Sequence, residues 1–385
     1  MRWLRIVLFF GLDTLAMMVP KRRSNAALIV RLDAIGDFVI WLQSGAADIA
    51  AELRSGHERL ILLANPAWAS LARDLKLWDE VVTIDPGRFV RSPTYRFRTM
   101  LKIRDLGCSI AVQPRAARLL LLEDAIVRAC GASVRVGSDA LMANMTPRLR
   151  SLGNRVYTRI VPVPLALTVH ESVRDMAFAR AFCKTVGNVI QPSRLPAPAS
   201  GSVVPAEPYI VVAVGAGWSG RQWPIEKFAA LLSELHSAHG LRCVLIGSAS
   251  EQPLAQAVLR RTSATVEDCC GRLSLTDSVR LIGRCRLLIA NESGPMHLGV
   301  WCGVPVLGLV GGGHFGWFAP YPSGFAHRAP AEFVHHAMPC FQCNWHCKFD
   351  VPAGDPVPCV RDIESETVAR RAHHLLAAGT AALPS

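Results

Sequence analysis

Only four tyrosines occur in the 385 residues, and no basic stretch is interleaved with aromatic rings. Single-strand and RNA binders stack bases on aromatic side chains set among cations, so nucleic acid is not expected as a partner. Charged residues are few, 19% against 51% hydrophobic. Such a chain buries a core and is not intrinsically disordered. The apolar N-terminal run from Ile6 to Pro20, IVLFFGLDTLAMMVP, is interrupted by Asp13 and Thr14. It falls short of the roughly 20 residues a spanning helix needs. It also lacks a small-x-small cleavage site, which argues against a signal peptide. Cysteine is the exception to this scarcity. Twelve are spread over a chain too long to be a small disulfide scaffold, and Cys243, Cys285 and Cys302 sit inside apolar runs. The compartment is read as reducing and cytoplasmic.

What charge there is leans one way. Lys and Arg number 42 against 30 Asp and Glu, a net charge of +12, which favours an anionic partner. Arg2 and Arg5 precede the apolar N-terminal run and Lys21, Arg22 and Arg23 follow it. Two readings stand for residues 1–24: a helix lying in the membrane interface with its cations on anionic headgroups, or a buried helix of the fold. Pro86 to Arg104 contains Arg88, Arg91, Arg96, Arg98, Lys102 and Arg104 and no acid. It reads either as a contact for an anionic acceptor or membrane, or as a solvated basic surface.

After Arg23 strand and helix patterns alternate, which predicts an α/β fold with parallel sheets covered on both faces. Strands are expected at Ala26 to Arg31, Leu60 to Ala64, Val81 to Ile84 and Ser109 to Val112. One helix is expected over Asp37 to Leu53 and another over Arg115 to Cys130. Residues 135–165 show no motif. Residues 191–208 are rich in Pro, Gly and Ser and read as a linker between an N-terminal domain, 25–190, and a C-terminal domain, 209–385. In the second, strands are expected at Tyr209 to Val214, Leu241 to Ile246, Leu287 to Ala290 and Val304 to Val310. Ligands of open parallel sheets bind at the carboxyl ends of strands, so chemistry should sit in the loops that follow them.

Four such segments stand out. In NESGPMHLGVWCGV, from Asn291, a strand ends and a helix begins. Ser293 is either a plain N-cap or, with Gly294 and His297, part of a phosphate-binding helix start. GAGWSGRQWP, Gly215 to Pro224, contains G-x-G-x-x-G, the dinucleotide fingerprint. The helix begins only at Pro224, and the next strand, RCVLIG, ends without the acid that holds a ribose there. It reads better as an anion-binding loop carrying Arg221. In RLDAIGDFVI, from Arg31, Gly36 permits a tight turn, and Asp37 is either a helix cap or a general base. Cys340, Cys343, Cys347 and Cys359, spaced C-x2-C-x3-C-x11-C, read either as a structural zinc or iron site or as four thiols packed under a loop.

Taken together and in order, R-x-x-x-I-G-D, GAGWSGRQWPIEKFAALL and NESGPMHLGVWCGVPVLGLVG resemble the family 9 glycosyltransferases, the lipopolysaccharide heptosyltransferase group. The resemblance covers about Ala26 to Val310. It implies a GT-B fold, two Rossmann-like domains facing across a cleft, the first for the acceptor and the second for the nucleotide sugar. It implies inverting transfer without a catalytic metal or cofactor, usually of heptose from ADP-heptose to an anionic glycolipid acceptor, by an enzyme peripheral to the inner membrane. By that resemblance Asp37 matches the general base. The family's diphosphate-binding Lys falls at Arg221, which keeps the charge and adds a bidentate fork. Its sugar-contacting Asp falls at Glu292, one methylene longer. Ser293, Gly294 and His297 match the phosphate-binding helix start, Glu251 the ribose-binding acid and Leu273 the adenine contact. Gly36 and Gly217, the glycines of the two turns, complete the donor-binding set. Glu292 leaves open a related transferase with another donor or a protein acceptor. Two other classes also stand at this stage, a binding-only relative and, on GAGWSG alone, a nicotinamide oxidoreductase.

Overall fold

The computed structural model describes residues 2–143, 145–195, 204–323, 325 and 329–379. The chain divides into two compact units, Met1–Ile190 and Gln191–Ser385. The first contains α1 (Arg2–Met18), β1 (Ala26–Val30), α2 (Ile35–Leu42), α3 (Ala46–Arg54), β2 (Arg59–Ala64), α4 (Ala69–Asp74), β3 (Glu80–Thr83), α5 (Pro86–Phe89), α6 (Pro93–Asp105), β4 (Ile110–Gln113), α7 (Ala125–Cys130), β5 (Val134–Ser138), α8 (Pro147–Asn154), β6 (Arg159–Val161) and α9 (Glu171–Phe182). The second contains β7 (Tyr209–Ala213), α10 (Ile225–His239), β8 (Arg242–Leu245), α11 (Gln252–Leu259), β9 (Val266–Asp268), α12 (Leu275–Ile282), β10 (Leu287–Asn291), α13 (Gly294–Cys302), β11 (Val306–Leu309), β12 (Ala331–Val334), α14 (Pro358–Arg361) and α15 (Ser365–Gly379).

Each unit is built on a six-stranded sheet, ordered β3-β2-β1-β4-β5-β6 in the first and β12-β11-β10-β7-β8-β9 in the second. Every pairing is parallel. A parallel sheet is buried on both faces, so its strands read as unbroken apolar runs. Every residue of β1, β7 and β10 is buried. Strand order reverses direction between β1 and β4 in the first sheet and between β7 and β10 in the second. At such a reversal the connecting helices leave on opposite faces and open a crevice at the carboxyl ends. The registers Ala27 opposite Ile110 and Ala213 opposite Ala290 keep the paired strand ends level there.

Three segments depart from the sequence expectations. The helix expected over Asp37 to Leu53 is two helices. It breaks at Gly45, where an added Cβ would lie 3.2 Å from the Asp175 carbonyl of α9, a close approach that glycine eases. The helix expected over Arg115 to Cys130 starts late, as a wide turn at Leu120–Asp124 followed by α7. The stretch 135–165 holds β5, α8 and β6. Of the Pro-rich stretch, Pro192–Arg194 form a short 3-10 turn and residues 196–203 lie outside the described residues.

Helix α1 packs on α6 and α7 of the first unit. Phe9, Asp13 and Ala16 are buried, whereas Leu8, Leu15, Met18 and Val19 are 52%, 56%, 76% and 43% exposed. The buried face is keyed by charge. Arg96 Nε and Nη2 each donate to a different Asp13 oxygen at 2.7 Å, and the guanidinium stacks on Phe9 and Phe89. Arg104 closes the end of the helix by donating Nε and Nη2 to the Val19 carbonyl. The basic run of Pro86 to Arg104 is therefore neither a uniform contact surface nor a uniform solvated face. Arg96 and Arg104 are buried structural cations, while Arg98 and Lys102 are exposed. No helix among the described residues is long and apolar enough to cross a membrane.

Candidate active site

Each switch point carries a cluster of charge. In the first unit it forms on the turn after β1 and the loop after β4. The N-cap of α2 is Ala34, with no side-chain cap, and Asp37 lies in the first helical turn. The cap reading of Asp37 is thereby corrected: its carboxylate faces Arg115 Nη2 at 3.4 Å rather than a backbone N–H of its own helix. Arg115 also approaches Asp33 at 3.5 Å and Glu123 at 3.7 Å. Behind them Arg31, fully buried, pairs with Asp33 at 2.8 Å and Asp175 at 3.2 Å, and donates to the Asp37 carbonyl at 3.3 Å. Burial pushes the Asp33 and Asp175 carboxyls up to about 7, against the pull of Arg31. Asp37 is the most open carboxylate of this group, with 12% of its side chain exposed against 0% for Asp33 and 1% for Glu123 and Asp175. The arrangement is an outer carboxylate held by a bridging arginine over a buried ionic floor.

In the second unit the loops after β7 and β10 meet. Asn291, the last residue of β10, ties them: its Nδ2 donates to the Val214 carbonyl at 2.7 Å and its Oδ1 accepts from the Trp223 N–H at 3.0 Å. Ser293 is the N-cap of α13 by position, but its Oγ donates to the Asn291 carbonyl and makes no capping bond. The plain-cap reading of Ser293 is corrected in turn, and the helix start carries no side-chain cap of its own. A start of this kind presents backbone N–H groups and the positive end of the helix dipole to an anion. Gly294 opens α13, and His297, buried one turn in, shares a 2.8 Å hydrogen bond with the Tyr321 hydroxyl.

Arg221 lies beside that helix start. Its Nη2 donates to the Glu292 carbonyl at 2.5 Å and stands 3.4 Å from the Glu292 carboxylate. Glu292 is 2% exposed. Burial pushes its carboxyl up to about 7, and Arg221 and the Gly311 N–H offset part of this through their field rather than at hydrogen-bond geometry. The position read as the sugar-contacting acid is therefore a buried one, folded under Arg221. Glu251 accepts from the Ser248 N–H and Oγ at 2.6 and 2.7 Å in a capping box. A Cβ at Gly215 would come within 1.4 Å of the Glu251 carboxylate and one at Gly247 within 2.9 Å. Both must be glycine for the acid to reach over the ends of β7 and β8. Gly217 is different: an added Cβ there meets nothing within 4 Å, so no close approach explains it. Leu273 is half-buried on the loop after β9, and Gly36 is buried in α2.

The cysteine segment enters this site in an unforeseen way. Gln342, Asn344 and Trp345 have φ of 68°, 50° and 60°, left-handed backbone that side-chain-bearing residues rarely adopt and that marks functional sites. The turns press Trp345 onto Gly311 and Gly313 and Phe341 onto Gly312; an added Cβ at any of the three would lie within 2.5 Å of a ring. Gln342 and Asn344 N–H groups donate to the Gly312 and Gly313 carbonyls at 2.7 and 3.0 Å. Trp345 ends 4.9 Å from the Arg221 guanidinium. Among the described residues no three His, Cys, Asp or Glu side chains are grouped to hold a metal ion. Of the two readings of Cys340, Cys343, Cys347 and Cys359, the structure describes four free thiols on a packed loop, and a structural zinc or iron there stays a proposal. The rings hold this segment in place, and Cys359, the buried thiol of the four, accepts the Gly312 N–H at 3.3 Å. The sequence signal that was missed is the triplet Gly311–Gly313 followed, a loop later, by FQCNW.

Two Rossmann-like units on parallel sheets, each with a charged crevice at its switch point and one with an arginine at an uncapped helix start, follow the GT-B pattern. A family model described as glycosyltransferase family 9 (heptosyltransferase) matches residues 125–330, more than half of the chain, and the protein belongs to that family. It is 26% identical over 161 residues to lipooligosaccharide heptosyltransferase 2 of Campylobacter jejuni subsp. jejuni serotype O:2, covering 41% of this chain and 47% of that one. The chain spans about half the length of the curated relatives it matches. Two solved structures share the fold: a glycosyl transferase family 9 protein from Veillonella parvula DSM 2008, with TM-score 0.67, 18% identity and coverage of 92% and 98%; and the E. coli ADP-heptose lps heptosyltransferase II, with TM-score 0.63, 16% identity and coverage of 92% and 99%.

Proposed function

We propose that the protein is an inverting glycosyltransferase that moves heptose from ADP-heptose to a hydroxyl of a lipopolysaccharide-core acceptor at a membrane surface. The observation that carries the reading is Arg221 beside the uncapped start of α13, at the switch point of a unit that lies largely within the family match. The diphosphate of the donor sits there. As the glycosidic C–O bond breaks, charge builds on the leaving diphosphate, and the guanidinium with the helix-start N–H groups stabilises it. Glu251 takes the ribose hydroxyls, Leu273 flanks the adenine, and Ser293, Gly294 and His297 line the phosphate end. Asp37 accepts the proton of the acceptor hydroxyl while that oxygen attacks the anomeric carbon from the opposite face. Arg115 orients the Asp37 carboxylate, and the ionic floor of Asp33, Arg31 and Asp175 keeps Arg115 in place.

One observation favours a second donor within the same chemistry. Glu292 is buried under Arg221, so it does not present the short exposed carboxylate that would grip a heptose hydroxyl. This favours a different nucleotide sugar as the second reading.

Calorimetric titration with ADP-heptose, other nucleotide sugars and bare nucleotides tests both, with Arg221→Ala alongside. Tight ADP-heptose binding that falls at least ten-fold in the variant supports the heptosyl donor, a loss of about 1.4 kcal/mol or more for a charge-assisted phosphate contact. Preference for a uridine or guanosine sugar moves the donor. The absence of any nucleotide binding overturns the transferase reading in favour of a binding-only relative.

A further inference from the structure

Away from the Asp37 cluster the first unit contains a cavity of about 370 Å³ that the transfer chemistry does not use. Its lining joins α1, through Phe10 and Asp13, to the wide turn before α7 and to the segments that lead into β5 and β6. Arg135 is the second residue of β5, and Arg155 and Val156 precede β6. The cavity therefore reaches toward the amino-terminal edge of the sheet, and through Leu120 and Asp124 it borders the turn whose Glu123 faces Arg115; neither Asp37 nor Arg115 lines it.

Its chemistry is divided. Phe10, Leu120, Ala125, Leu152 and Val156 make it apolar, and Arg128, Arg135 and Arg155 make it cationic. The two acids in the lining are already neutralised, Asp13 by Arg96 and Asp124 by Arg118. The three arginines have no such partner: among the described residues none forms an ion pair. Arg128 lies over the Phe10 ring at 5.3 Å, and the Arg135 guanidinium donates to the neutral Val156 and Ala132 carbonyls, both at 2.6 Å. Three uncompensated guanidiniums around an apolar recess suit a phosphate with hydrocarbon attached, since each guanidinium offers a planar fork to phosphate oxygens. The wall formed by α1 continues into an apolar outer face. Leu8, Leu15 and Met18 fall within an arc of about 80° on α1, and these three, with Val19 just past the helix end, are exposed.

We propose that this cavity is a binding site for the phosphate headgroup of an anionic phospholipid in a bilayer, with the outer face of α1 entering the interface beside it. The inference rests on the reading that the protein works at a membrane on a lipid-linked acceptor, and it names the part of the fold that brings it there. The arginines hold the phosphate at headgroup level, and Phe10, Leu120 and Leu152 line the first carbons of the chain. Exposed Arg98 and Lys102 on the neighbouring α6 add to the attraction without forming a pocket.

The test is sedimentation of the whole protein with vesicles of phosphatidylcholine alone and of phosphatidylcholine mixed with phosphatidylglycerol, free of saccharide and nucleotide. Wild type should bind the anionic vesicles and not the neutral ones. Arg128→Ala with Arg155→Ala should lower partitioning on the order of 30-fold, about five-fold for each cation removed near an anionic surface. Arg155→Glu, at an exposed position, should weaken binding without disturbing the fold, and Leu15→Asp should do so through the apolar face. Arg260→Ala with Arg284→Ala removes the same charge from the second unit and should leave binding within about two-fold, because surface charges act only within a Debye length. Equal loss in that control pair, or wild-type binding by both Arg155→Glu and the double variant, overturns the site. Donor titration is read on the same preparations. Intact nucleotide binding with no vesicle binding refutes this inference alone; vesicle binding with no nucleotide binding refutes the transferase reading alone.

Discussion

Glu292 should give the second unit a pH dependence of its own. Its carboxyl is 2% exposed and shifted from 4.5 to about 7 by burial. A folded-state value above the unfolded one means that the folded chain holds the proton more tightly. The stability this contributes is fully present below about pH 4.5 and is lost as the pH rises through about 7. A rise of roughly 2.5 units corresponds to about 3 kcal/mol in full, and about 2–3 kcal/mol of it falls between about pH 5 and about pH 8. Glu292→Gln keeps the shape and cannot ionise. The side chain meets no partner at hydrogen-bond geometry, so the amide forfeits little there and any remaining cost is the same at every pH. The variant should therefore gain on wild type as the pH rises, by about 2–3 kcal/mol over that window. In melting temperature this is roughly 4–10 °C for a unit of this size. Asp33 and Asp175 titrate in the same range in the first unit, so the measured quantity is the difference between variant and wild type. Scanning calorimetry or urea unfolding across the window reads it. A difference that stays constant with pH would show that Glu292 is not an uncompensated buried acid and would refute the reasoning. A corollary links this acid to the ligand. Ionised Glu292 competes with phosphate for Arg221, so ADP affinity should fall in wild type as the pH rises through about 7 and should fall less in the variant.

Asp37→Asn should leave donor binding unchanged and reduce kcat about 10²–10⁴-fold, the span of a lost general base; titration and initial rates separate the two. Trp345→Ala removes the ring under Arg221 and should raise donor KM about three- to thirty-fold, within the range of a cation–π contact, with kcat moving less. Asp13→Ala leaves Arg96 buried without its counter-charge and should cost about 3–5 kcal/mol in the first unit, measured as an earlier unfolding transition in calorimetry.

The sheets were legible because parallel strands buried on both faces leave an unbroken signature, as in Ala26–Val30 and Leu287–Asn291. The loops after them were legible for a related reason: few sequences other than a ligand turn put Gly, Ser and an acid directly after such a strand. What stayed hidden depends on tertiary partners. Nothing local shows that Gly45 breaks a helix because the Asp175 carbonyl approaches it, or that Arg115 bridges Asp33 and Asp37. Residues 135–165 were unreadable because β5 and β6 are short and flanked by Arg, which weakens their apolar pattern. Arg221 was found from its own loop. Its contact with Trp345 was not, since it joins positions more than a hundred residues apart, and the Gly311–Gly313 triplet that admits the ring does not say which aromatic fills it.

The Asp13–Arg96 pair has a practical meaning for anyone preparing this protein. The first twenty-odd residues look like a greasy leader that could be trimmed for easier handling. Trimming them would strip Phe89, Met100 and Ile126 of part of their cover and strand a guanidinium in the interior with no acid to answer it. The shortened protein should aggregate more, not less. Its handling is better improved by detergent, or by polar substitutions at Leu8 and Met18, than by the scissors.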